Sequence, residues 1–77
     1  MNYSVEAIYK GGLNPDTDAV LRSAAGRPPD NGICFFIIGD EERDIYWYCD
    51  TMREAQQLAD TIRNARIPGV KVVIYED

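Results

Sequence analysis

Carboxylates are the one kind of reactive group this chain has in quantity. Its 77 residues hold 13 Asp and Glu against 8 Lys and Arg, a net charge of −5 at pH 7, and no histidine. Without histidine the commonest general base near neutral pH is gone, together with the Ser-His-Asp and Cys-His arrangements and the commonest metal ligand. Cys34 and Cys49 are too few for a four-cysteine zinc site and too far apart for a C-x-x-C redox pair. Gly11-Gly12 stands without the further glycines or the G-K-S/T that cradle phosphate, and no D-x-[DN]-x-[DN]-G calcium loop occurs. A carboxylate pair can do acid–base work, yet acids at this density read first as solvated surface. The expectation is no catalytic residue, no cofactor and no metal. The negative balance also argues against a phosphate backbone as direct partner.

The elements that must position these groups are short and well punctuated. Tyr3 to Lys10 alternates with period two, Tyr3, Val5, Ala7 and Tyr9 on one side, which predicts a half-buried strand ended by Gly11-Gly12. Asn14 as cap, Pro15 in the first turn and the acids Asp16 and Asp18 predict a helix start, with Val20, Leu21 and Ala24 as its apolar stripe and Gly26 as its stop. The run Ile33 to Ile38 is apolar on both sides and predicts a strand. Gly39 to Asp44 reads as a polar hairpin loop, and Ile45 to Cys49 as an aromatic-rich strand. Thr51 with Glu54 fits a capping box, followed by Met52, Ala55, Leu58, Ala59 and Ile62 at helical spacing. Val70 to Tyr75 predicts the last strand. With 45% hydrophobic and 27% charged residues the composition is that of a globular protein. The longest apolar run is far short of the roughly 18 residues of a membrane helix, and no signal peptide is legible at Met1-Asn2-Tyr3-Ser4. One soluble, cytoplasmic domain covering 1–77 is expected.

Strand, helix, strand, strand, helix, strand is the order of the ferredoxin-like split βαβ fold: an α+β arrangement with an antiparallel four-stranded sheet and two helices on one face. The first and third strands are then central. A symmetric hairpin places Ile38 opposite Ile45, Phe36 opposite Trp47 and Cys34 opposite Cys49, which assigns these six to the core and sets the cysteines face to face as reduced thiols. The other side collects Phe35, Ile37, Tyr46, Tyr48 and Tyr75, with Ile8 and Val73, and no helix remains to cover it. The same topology gathers Asp16, Asp18, Asp40, Glu41, Glu42 and Asp44 at one end of the sheet, with Arg43 among them, as an acidic knob able to meet a basic groove.

Some families of this strand–helix order leave marks that can be checked. Tyr46 and Tyr48 resemble the stacking aromatics of RNA-recognition motifs, but the matching first-strand positions are Glu6 and Ile8 and the basic signature residues are missing. Lys10-Gly11-Gly12-Leu13-Asn14 lacks the cysteines of metal-transport domains and the arginine of acylphosphatases. Gly11-Gly12-Leu13 resembles the glycine loop of ACT domains, which implies a dimeric small-ligand sensor as the alternative function. The small size, acidity and absence of catalytic motifs resemble phage inhibitors of host defence, including anti-CRISPR proteins. The leading expectation is a non-enzymatic protein-binding module, an inhibitor or adaptor of a nucleic-acid-handling complex that also forms a homodimer. A carboxylate-dependent enzyme is the third reading.

Overall fold

Alternation of Tyr3, Val5, Ala7 and Tyr9 with Ser4, Glu6, Ile8 and Lys10 builds a strand at the centre of a four-stranded antiparallel sheet. The computed structural model describes residues 2–36 and 38–77. Its elements are β1 (Tyr3–Lys10), α1 (Pro15–Ala25), β2 (Asn31–Phe35), β3 (Glu42–Cys49), α2 (Met52–Asn64) and β4 (Lys71–Glu76). The strands lie in the order β2-β3-β1-β4, the ferredoxin-like arrangement that the element order implies. Among the described residues no helix is long and apolar enough to cross a membrane.

Local chemistry starts and stops the helices where the sequence indicates. The Asn14 side chain accepts from the Asp16 and Thr17 N–H groups, Pro15 occupies the first turn, and Gly26 closes α1 in the left-handed conformation at φ 76°. Thr51 Oγ1 accepts from the Glu54 N–H at 3.1 Å, and the Glu54 carboxylate reaches back to the Asp50 N–H at 3.4 Å.

Both helices cover the same side of the sheet. Val5, Ala7, Tyr9, Ile45, Trp47 and Cys49 pack there against Leu21, Ala55, Ala59 and Ile62. Trp47 is the largest fully buried side chain, and its indole N–H donates to the Arg27 carbonyl at 3.2 Å. The α1 stripe is narrower than expected: Leu21 is buried, Ala24 is half-buried and Val20 faces solvent, as does Met52 at the start of α2.

The β2–β3 hairpin departs from the symmetric register. Asn31 pairs with Tyr46, Cys34 with Arg43 and Phe35 with Glu42, a slide of six residues. Phe36 and Ile38 therefore leave the strand and stand exposed instead of entering the core. Cys34 and Cys49 no longer face each other: Cys49 pairs with Tyr3 and lies roughly 20 Å along β3 from the partner of Cys34. Both thiols are free. Asp30 holds this register, its N–H donating to the Tyr46 carbonyl at 2.8 Å and its carboxylate accepting from the Tyr48 N–H at 2.8 Å. Pro28 and Pro29 have no N–H with which to extend the ladder toward Cys49. At the other end the charged residues read as loop are strand, because each has a place in the sheet: Glu42 beside Lys10, Asp44 beside Ile8, and Arg43 on the helix side. Because the slide is even, the faces keep their residues.

Candidate functional site

Strand pairing fixes a grid of side chains on the sheet face opposite the helices. Ser4 lies between Tyr48 and Tyr75, Glu6 between Tyr46 and Val73, and Ile8 between Asp44 and Lys71. β2 extends the rows, with Asn31 beside Tyr46, Ile33 beside Asp44 and Phe35 beside Glu42. Directly opposed residues sit about 5 Å apart and diagonal ones about 7 Å, so these groups form one patch. Phe35 and Tyr75 are 43% and 47% exposed, and Tyr46 and Tyr48 are half-buried. All four share the face to which the alternation assigns them. Ile37, the fifth residue expected there, lies outside the described residues. The exposed Phe36 and Ile38 flank it in the hairpin.

Two carboxylates occupy the middle of this patch. Glu6 and Asp44 lie on the two central strands at diagonal positions and are only 5% and 4% exposed. Asp44 Oδ1 is buried with no hydrogen-bond partner. Burial first, then hydrogen bonding and charge from Glu6 and Glu42, push the Asp44 carboxyl up to about 7. Burial and the adjacent Glu6 charge drive the Tyr46 phenol well above its usual value, and the Glu6 charge raises Tyr75 as well. Glu6 is thus the hub of the face, sensed by an acid on one side and by phenols on two strands.

The acids expected to form a knob are divided among different tasks. Asp44 is corrected from an exposed end residue to a buried one on the open face. Its alternation with Tyr46 carries it there once β3 extends to Glu42. Asp18 is tied inward, accepting from the Tyr9 hydroxyl at 2.7 Å and from Arg43 Nη2 at 3.1 Å, while Arg43 Nη1 reaches Cys34 Sγ at 3.5 Å. Asp40 and Glu42 share the Lys10 ammonium at 2.9 and 3.1 Å. Glu41 is half-buried, and its carbonyl accepts from the Gly11 N–H at 2.9 Å. Asp16 remains exposed in the first turn of α1.

Glu6 escaped the sequence reading although its signal was present. It alternates with core residues on the first strand, on the same side as Ile8, and only the pairing of β1 with β3 brings it to Asp44. Among the described residues no three His, Cys, Asp or Glu side chains are grouped to hold a metal ion. The Gly11-Gly12 turn takes left-handed angles of 93° and 77°, which only glycine adopts freely, to end β1 against Glu41. A depression of about 340 Å³ lies nearby on α1, lined by Leu13, Pro15, Asp18, Ala19, Arg22 and Pro29. No protein-family model, no curated protein and no solved structure matches this chain.

Proposed function

We propose that this chain is a small acidic, non-enzymatic protein-binding module that docks through its uncovered sheet face onto a basic protein surface. In its most concrete form it is a stoichiometric inhibitor or adaptor of a nucleic-acid-handling complex. The observation that carries the reading is the aromatic and aliphatic face that neither helix covers, Ile33, Phe35, Tyr46, Tyr48 and Tyr75, with Phe36 and Ile38 also exposed beyond the end of β2. A contiguous apolar patch on a small domain marks a contact surface, and tyrosine supplies large contact area with a polar tip.

Charge supports the choice of partner. The net charge of −5 steers the chain toward basic surfaces, of the kind that proteins use to hold nucleic acid. A second copy is a poorer occupant, because a two-fold contact centred on this face sets Glu6 and Asp44 against the same carboxylates of the copy. The anti-defence inhibitors that this chain resembles in size and sign act in this stoichiometric way.

The test compares partner capture from nuclease-treated extracts of the source cell by the native chain and by Phe35→Ser and Tyr48→Ala, with sedimentation to report self-association. A protein with a basic surface, captured by the native chain, lost from both folded variants and released by salt, is expected. Equal capture by all three, or a dimer of the native chain that both variants dissolve, overturns the proposal.

A further inference from the structure

We infer that Glu6 and Asp44, framed by Tyr46 and Tyr75, are a receptor for one arginine side chain of the docked protein. This inference deepens the docking reading and rests on it. Carboxylates at 5% and 4% exposure on the side of the sheet away from both helices are there at a cost in desolvation. Asp44 Oδ1 has no hydrogen-bond partner to offset that cost.

Among the described residues, the nearby cations are placed elsewhere. Arg43 points to the helix side and is engaged by Asp18 and Cys34. Lys10 is engaged by Asp40 and Glu42 at the end of the sheet. Lys71 lies across Ile8 on the edge strand and is exposed. A guanidinium suits this pair of carboxylates better than an ammonium. Its planar fork of donors reaches two carboxylates at once, it stacks on phenol rings, and it sheds water more readily. Tyr75, about half exposed on the edge strand, is the side chain that can swing aside to admit it.

The free face is neutralised in another way. Burial first, then hydrogen bonding and charge from Glu6 and Glu42, hold a proton on the Asp44 carboxyl up to about pH 7, and the phenols of Tyr46 and Tyr75 and the ammonium of Lys71 are the other titratable groups around the pair. When the guanidinium enters, that proton leaves to solvent and the carboxylate accepts N–H donors in its place. Binding therefore tightens as pH rises, about tenfold between pH 6 and pH 8 for one linked proton.

The experiment titrates the full chain with N-acetyl-Gly-Arg-Gly-amide and with its citrulline counterpart, followed by amide NMR. The arginine peptide is expected to shift the Glu6, Asp44 and Tyr46 amides saturably, more tightly at pH 8 than at pH 6, while citrulline leaves them in place. Asp44→Asn or Glu6→Gln should weaken the response about tenfold or more. The pH arm needs no substitution, so the inference stays testable if a variant does not fold. Equal responses to both peptides, no response on this face, or binding indifferent to pH overturns it. If Phe35→Ser abolishes partner capture but the arginine peptide leaves the face unmoved, docking stands and the receptor falls. If the peptide binds while capture survives Phe35→Ser and Tyr48→Ala, the receptor stands and docking falls.

Discussion

The two faces of one sheet are made by neighbouring residues of the same strands, yet they solve opposite problems. On the helix side, Val5, Ala7, Ile45 and Trp47 are almost wholly buried under Leu21, Ala55, Ala59 and Ile62. Polar groups there bond within the fold, as Tyr9 and Arg43 do with Asp18, although Arg43 Nε is buried without a partner. On the other side, Tyr46, Tyr48 and Tyr75 keep part of their surface in solvent around the Glu6 and Asp44 carboxylates, and one oxygen has no partner. Cover by the two helices marks the face that holds the fold, and the lack of it leaves aromatic side chains in solvent on the other face.

Adjacent residues on the two faces provide the sharpest way to break this contrast. Trp47→Ala removes the largest buried side chain and should cost about 3–5 kcal/mol. That is as much as a domain of this size has to spare, so the variant should be largely unfolded in a urea titration at 25 °C. Tyr48→Ala, one residue along, should lose about 1 kcal/mol and remain folded. Equal losses would erase the distinction between the faces.

A smaller effect separates the faces by pH. The Asp44 carboxyl rises from its ordinary value of 3.8 to about 7, so within that window the folded chain binds a proton that the unfolded chain has released. The stabilisation from the protonated form is complete below about pH 4 and is lost as pH climbs through 7. At about 1.4 kcal/mol per unit, the change is on the order of 2–4 kcal/mol. Urea midpoints across this range should fall for the native chain and stay level for Asp44→Asn; a native curve that rises contradicts the assignment.

The smallest effect tests the tied polar groups. Asp18→Asn removes the charge that meets Arg43 Nη2 at 3.1 Å and weakens the acceptor of the Tyr9 hydroxyl, and should cost about 1–2 kcal/mol. Asp40→Asn, at the exposed Lys10 pair, should leave the urea midpoint where it is. A larger loss at Asp40 than at Asp18 would place the structural acid at the wrong end of the comparison.

Much of this was legible before folding. Asn14, Pro15, Gly26 and Thr51 announce the helix boundaries through bonds made within a few residues, and the order of elements then leaves few topologies. Tyr46 and Tyr48 were assignable to the uncovered face because alternation survives any even shift of register. Of the acids assigned to the knob, Asp44 was misplaced, because charge along the chain says nothing of which way a strand residue turns. Asp44 looked like loop beside Glu41, Glu42 and Arg43, and became strand only by pairing with β1.

What the amino-acid order determined by itself is therefore local: caps, turns, the two periodicities, and which residues share a side of each strand. The tertiary structure decided the register of β2 against β3, the exposure of Phe36 and Ile38, and the meeting of Glu6 with Asp44. These depend on contacts between residues 16 to 38 positions apart. Asp30 bonding to Tyr46 and Tyr48, and Lys10 bonding to Glu42, outweigh the symmetric hairpin that sequence spacing favours. No window along the chain contains both partners of those bonds.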